Sequence, residues 1–409
     1  MERILIENFG GFKKIEFEFK KINILIGPQA SGKSISVKLL YFFKTFTSEI
    51  IKSIQNGETK RTLDSNQKKR FRNYFPKESW PAGDFKISYT LNAETWITIS
   101  RLNSLKFNYS ENFVKLFSKG KQIFKEEQQK NSLEGRAFIA NIMMRNRFND
   151  LLKSEFSEAL ANQQHFIPAG RSFFAILQSS IFSILSNNKS LDPFLVEFGS
   201  IYEGFTRGFL NFLDSSKRSY KEFDKVINEI MNGAYVREKE KDYIVHKDKR
   251  KVNLSNASSG QQEILPLILV LKVLSAINEN ATLYIEEPEA HLFPTAQKKI
   301  VQLLARTFNS DGNYQIIITT HSPYILSSFN NLVEAGKIIS EDVGKTSAVN
   351  KVIPAQEVLN PDDIAAYAIF DGKKKSLIDK ETRLISQNLL DAVSNDISID
   401  FGQLLDIEY

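Results

Sequence analysis

The chain has 409 residues, 42% of them hydrophobic, enough to bury a sizeable core and to build two or three domains. It contains no cysteine, which excludes a disulfide framework and any cysteine-ligated zinc or iron–sulfur centre. The net charge of +6 is concentrated: between Lys52 and Lys77 eight Lys/Arg stand against only Glu58 and Asp64, so the remainder balances near zero.

In chain order, Met1-Glu2-Arg3-Ile4-Leu5-Ile6-Glu7 breaks its apolar run with charges, unlike the core of a secretory leader. Residues 2–7 and 15–19 alternate apolar and charged, the period of half-buried strands, with a turn at Gly10-Gly11. Ile22 to Ile26 predicts a short buried strand running into a glycine-rich segment, and Ile35 to Phe46 has helical spacing. The basic stretch 52–77 has two readings. Its cations with interleaved Phe71, Tyr74 and Phe75 suit a nucleic-acid backbone and stacked bases. The same pattern suits a solvated helix or loop with its aromatics turned inward.

Residues 84–91 and 95–109 carry the β-branched and aromatic content of strands. Residues 111–162 and 171–232 read as mainly helical, and no heptad is sustained, so a compact lobe is expected here in place of a coiled-coil rod. Residues 234–253 alternate as a hairpin does. After Gln261 an apolar helix runs to about Ile277, broken by Pro266 and Lys272 and short of a membrane span; the expectation is a soluble, cytoplasmic protein with no membrane partner. Strand 282–286, helix 294–308, strand 315–319 and helix 323–329 give the βαβα alternation of a parallel sheet. In the tail from Asn360, Asp362-Asp363 predicts a helix start.

Four segments carry chemistry. Gly27, Pro28, Gln29, Ala30, Ser31, Gly32, Lys33 and Ser34 match a phosphate loop completely, with a strand before and a helix after. Glycines let backbone N–H groups surround phosphates, Lys33 reaches the β- and γ-phosphates of ATP, and the Ser34 hydroxyl suits Mg2+. Leu283-Tyr284-Ile285-Glu286-Glu287 is an apolar strand ending in two carboxylates. Glu286 suits a metal-side role and Glu287 the polarisation of an attacking water. His321 follows another buried strand, placed to hydrogen-bond a γ-phosphate and sense its loss. Ser258, Ser259, Gly260 and Gln261 precede a helix: alone they read as its cap, with Glu263 completing it, and with the other segments as the cap for a nucleotide bound by a partner subunit.

The set resembles the ATP-binding-cassette (ABC) ATPases of the Rad50/SMC/RecF and overcoming-lysogenization-defect branch. Ser258-Ser259-Gly260-Gln261 is similar to the signature loop, Glu287-Pro288-Glu289-Ala290-His291-Leu292 to the catalytic glutamate and D-loop, and His321 to the switch histidine. Glu286 stands where many relatives carry aspartate. Phe166-Ile167-Pro168-Ala169-Gly170-Arg171-Ser172 looks like a motif of small standalone members, many encoded in anti-phage defence systems; Arg171 either contacts nucleotide, links the lobes or is structural.

The resemblance implies an α/β fold: an ABC-type ATPase head with a P-loop parallel or mixed sheet and a large, mainly helical inserted lobe. The division expected is 1–47 for the first half of the core, 48–250 for the insert with a β hairpin, 251–345 for the signature, Walker B and switch half, and 346–409 for a tail, with Tyr367 to Tyr409 read as a partner-docking surface. The function expected is ATP hydrolysis with ATP-dependent homodimerisation that controls a protein effector, a nuclease or toxin, in anti-phage defence. The alternative is a RecF- or Rad50-like repair ATPase whose 52–77 stretch clamps DNA. Residues 323–409 are too few for the acidic metal domain of the related nucleases; the large insert counts against an importer subunit, and intact Lys33 and Glu287 against a catalytically dead scaffold.

Overall fold

The runs Ile22–Ile26, Ala281–Glu286 and Tyr314–Thr320 are dominated by apolar residues and buried along their whole length. Strands of that kind belong inside a parallel sheet covered on both faces. The computed structural model, which describes residues 1–130, 137–156, 158–177, 191–209, 221–238, 241–277, 279–386, 398–400 and 403–404, places them there. They are β3 (Ile22–Ile26), β11 (Ala281–Glu286) and β12 (Tyr314–Thr320) of a six-stranded sheet, joined by β7 (Gln163–Ile167), β13 (Ile364–Phe370) and β14 (Lys373–Ser376). The order is β14-β13-β3-β12-β11-β7. The five inner and far-edge strands are parallel and β14 folds back antiparallel on β13, so β3, β12, β11 and β7 all end at one edge.

The two-residue period of the strands sorts their side chains into two cores. Ile24, Ile285, Ile316 and Ile318 pack with the helices Ser259–Ile277, Pro294–Phe308 and Pro323–Glu341. Leu25, Tyr284, Ile317 and Tyr367 face the helix Lys33–Lys44 and a second, antiparallel sheet. That sheet runs β2 (Phe12–Glu18), β1 (Arg3–Phe9), β4 (Phe85–Asn92), β5 (Thr95–Arg101), β6 (Leu105–Tyr109). Each fully buried Ile, Leu or Phe contributes roughly 1.5–3 kcal/mol to this three-layer stack. The helix Ser259–Ile277 is, among the described residues, long and apolar enough to cross a membrane, but most of it is buried inside the fold as a core helix.

Several expectations are corrected. The stretch 48–250 is not a lobe set apart from the head. Its strands β4 to β6 extend the sheet begun by β1, and β7 forms the edge of the central sheet. The run 95–109 is two strands, not one. Residues 234–253 form β8 (Ala234–Glu238), β9 (Lys241–Val245) and β10 (Lys251–Asn253), a small antiparallel sheet. The helix expected over 323–329 continues to Glu341. No helix starts at Asp362-Asp363: a 3-10 turn leads into β13, which pairs in parallel with β3. Tyr367 is therefore part of the core, only 8% exposed, and a docking surface cannot begin there. Much of the rest of that tail, 387–397, 401–402 and 405–409, lies outside the described residues.

Of the two readings of the basic stretch, the structure has the helix with its aromatics turned inward. It holds the helix Lys60–Tyr74, capped by Thr59 accepting from the Thr62 N–H. Phe71, Tyr74 and Phe75 are buried, with Phe71 packed against Phe9, Phe42 and Phe75, so none can stack a base. Arg70 turns inward too, donating to Thr45 Oγ1 and lying over Phe42 and Tyr74. Lys52, Lys60, Arg61, Lys69, Arg72 and Lys77 remain exposed.

Candidate nucleotide site

The phosphate loop leaves the end of β3 and is tightened by glycines that nothing larger could replace. A Cβ on Gly27 would lie 2.3 Å from the Ile369 carbonyl oxygen, and one on Gly32, at φ +95°, 2.2 Å from the Phe12 ring. Pro28, Gln29 and Ala30 are exposed, Ala30 in the left-handed region at φ 61°, and Ser31 N–H donates to Pro28 O at 3.3 Å. Lys33 is buried, its Nζ donating to Gly27 O at 2.8 Å and Pro28 O at 2.7 Å. Burial lowers its ammonium below the ordinary 10.5, with the Glu287 and Glu289 carboxylates opposing. Those two acids therefore stand close enough to the loop for their charge to be felt. Ser34, in the first turn of the helix Lys33–Lys44, is exposed.

Glu286 closes β11 and Glu287 begins the turn after it, held at φ 44° with its N–H on Thr319 O at 2.9 Å. That twist lets consecutive acids address one space, although along a strand they would face apart. Glu286 is buried; its Oε2 accepts only weakly from Ala169 N–H at 3.4 Å and its Oε1 has no hydrogen-bond partner. A buried carboxylate oxygen left free fits a cation. Among the described residues no group of three His, Cys, Asp or Glu could hold a metal. One carboxylate and the Ser34 hydroxyl, with phosphates and waters completing the shell, is the donor set of Mg2+ and not of a caged transition metal.

His321 follows β12, and its Nε2 lies 3.2 Å from Glu287 Oε1. Glu289, in the segment similar to a D-loop, fixes that arrangement: its Oε1 accepts from Thr320 Oγ1 and from the His321 N–H, both at 2.7 Å. Glu263 was misassigned. The cap of the helix at Ser259 is built instead by Gln261, whose Oε1 accepts from Ser258 N–H and Oγ at 3.1 Å while Gln261 N–H donates back to Ser258 Oγ at 3.3 Å. Glu263 accepts from the backbone N–H groups of Arg171 and Ser172. The signal was legible: an acid inside an apolar helix must have a partner. Arg171 is fully buried, and its donors reach Glu263, Pro168, Glu286 and Glu287, so it links the parts of the chain beneath the site.

The structure sets Lys33, Glu286, Glu287 and His321 at the ends of neighbouring parallel strands and carries the signature segment on the start of a separate helix. Ser258 and Ser259 are exposed, Gly260 abuts His291 (a Cβ there would lie 2.6 Å from its carbonyl oxygen), and Gln261 Nε2 donates to Met231 O at 2.6 Å. The phosphate loop packs against Ile369 of β13, and this segment against His291, in the stretch that follows Glu287.

A phosphate loop, paired carboxylates and a histidine at the ends of neighbouring parallel strands define an ABC-class P-loop ATPase head. The chain belongs to the family described as AAA domain, putative AbiEii toxin, Type IV TA system, whose model matches residues 22–327. It is similar to the Retron Vc95 probable ATPase of Vibrio cholerae serotype O1 biovar El Tor, 24% identical over 366 residues, covering 83% of this chain and 64% of that protein. It is also similar to the Retron Ec83 probable ATPase of Escherichia coli, 31% identical over 99 residues, covering 22% of this chain and 18% of that protein. The chain thus spans less than two-thirds of these curated relatives. An SMC head domain from Thermotoga maritima superposes with a TM-score of 0.37 at 13% identity, covering 92% of this chain and 97% of that one.

Proposed function

We propose that the protein is an ATPase in which two copies close on ATP, each supplying the Ser258–Gly260 segment to the nucleotide held by the other. The observation that carries this reading is the split site. Lys33, Glu286, Glu287 and His321 stand at the ends of neighbouring parallel strands, while Ser258 and Ser259 lie exposed at the start of a separate helix whose Gly260 abuts the His291 carbonyl. The exposed Ser258 and Ser259, at a helix start closed within the chain only by the Ser258–Gln261 cap, offer an anion site to a phosphate from elsewhere. Mg2+ would supply charge neutralisation at the β- and γ-phosphates. The chain's own residues do the rest. Lys33 exchanges its two carbonyl partners for phosphate oxygens, Glu287 takes a proton from the attacking water, and His321 orients Glu287 and meets the γ-phosphate.

We further infer that the closed state controls a toxic protein effector in phage defence. The family's toxin–antitoxin description and the retron names of the relatives support it. A DNA-clamping reading draws on the exposed Lys60, Arg61, Lys69 and Arg72, and would show as duplex binding that weakens steeply with salt.

Calorimetric titration of ATP into the wild type and Lys33→Ala tests the nucleotide reading. Loss of the charge-assisted bonds should weaken binding about 10- to 100-fold. Equal affinity in both would place the phosphate elsewhere.

A further inference from the structure

Arg171 is fully buried in the turn that leaves β7, and apart from one bond to Pro168 in that turn its side-chain donors go to two distant parts of the chain. Its Nε donates to Glu263 O at 3.0 Å, and Nη2 lies 3.4 Å from Glu263 Oε1. Its Nη1 donates to Pro168 O at 2.9 Å and to Glu286 O at 2.7 Å, and Nη2 donates to Glu287 O at 3.0 Å. Glu263 returns the contact, its carboxylate accepting from Arg171 N–H at 2.9 Å and Ser172 N–H at 2.8 Å. One planar guanidinium thus joins the first turns of the helix Ser259–Ile277 to the backbone of both carboxylate residues. The joined ends matter because they face different nucleotides in the composite site. Glu287 sits at φ 44°, a conformation a non-glycine residue keeps only when its surroundings fix it. A second contact runs beside the first, Gly260 lying against the His291 carbonyl.

We propose that Arg171 is a positioning residue that couples the two nucleotide sites of a dimer through one chain. Resting on the composite-site reading above, the proposal is that a partner's nucleotide at Ser258–Gly260 fixes the first turns of the helix. Glu263 and the guanidinium carry that to the Glu286–Glu287 backbone, and Glu287 is aimed at its own nucleotide only then. A lysine gathers its three donors on one mobile nitrogen where the geometry uses three nitrogens of a rigid fork, so it cannot reach the Glu263, Glu286 and Glu287 carbonyls at once.

The test uses the full-length chain as wild type, Arg171→Met and Arg171→Lys, with melting temperature as the control for folding. Arg171→Met leaves Glu263 its two backbone N–H partners, so that carboxylate is not left bare. Three quantities are read: ATP affinity by calorimetry, ATP-driven association by light scattering, and steady-state hydrolysis. ATP affinity and association should stay within about threefold of wild type while turnover per associated chain falls by about 10- to 100-fold, the scale of a displaced reacting group. Arg171→Lys should recover only part of that loss. Wild-type turnover in Arg171→Met overturns the proposal, and so does a parallel fall of association and turnover, which a merely structural role would give. If Arg171→Met does not fold, Glu263→Gln replaces it, with the same separation expected and wild-type turnover overturning. A wild type that hydrolyses ATP without ever associating overturns the composite-site reading itself, and the coupling with it.

Discussion

His321 Nε2 and Glu287 Oε1 stand 3.2 Å apart at the ends of adjacent strands, and Glu289 holds the histidine's own backbone N–H at 2.7 Å. The histidine is thereby fixed against the carboxylate proposed to accept a proton from water. His321→Ala should leave ATP binding nearly intact and lower turnover by about 100-fold, the usual scale for a group assisting proton transfer. Steady-state hydrolysis beside calorimetry measures both; unchanged turnover would remove His321 from the mechanism.

Ser258→Arg places bulk and charge on the exposed segment while Lys33 and Glu287 stay untouched. It should bind ATP as the wild type does yet neither associate nor turn over. Mixed with Lys33→Ala, it should regain part of the activity, because one of the two sites in a mixed dimer is intact in both halves. Normal hydrolysis by Ser258→Arg alone would end the claim that this segment acts across an interface.

Stability depends on a buried pair at the far end of the sheet. Lys44, 0% exposed, lies 2.9 Å from Glu2 Oε1 and also donates to Gln315 Oε1, while Tyr89 and Gln315 donate to Glu2 at 2.8 Å. Burial pushes the Glu2 carboxyl up, and Lys44 with those bonds more than offsets it, leaving it below 4.5. A carboxyl depressed on folding stabilises the protein above its unfolded value and loses that contribution as pH falls through the folded one. Lys44→Met should therefore cost about 3–5 kcal/mol near neutral pH by stranding Glu2, and the gap to wild type should narrow in acid below pH 4.5. Denaturant titrations at several pH values measure this, and a constant gap would refute it.

The nucleotide machinery was legible in the sequence because it is local. Gly27 to Ser34, Glu286-Glu287 and His321 each follow a short apolar strand, and strand-then-polar-residue is written in consecutive positions. What was not legible is non-local. Ile364–Phe370 is an alanine-rich apolar run without alternation, so its period cannot separate strand from helix, and its place beside β3 depends on a partner more than 300 residues away. Residues 85–109 were read correctly as strands but wrongly as part of a separate lobe, because only pairing with β1 assigns them to the head. The Glu263–Arg171 link was hidden for the same reason: each residue's partner lies about ninety positions off.

If ATP closes two chains on each other, Glu287→Gln is the variant that shows it. The amide keeps the shape of the side chain and cannot accept the proton, so hydrolysis should fall by at least about 100-fold and the closed state should accumulate. Light scattering of this variant with saturating ATP and Mg2+ should show twice the monomer mass or more, reverting when nucleotide is removed. A persistent monomer under saturating ATP would rule out closure of two chains on the nucleotide.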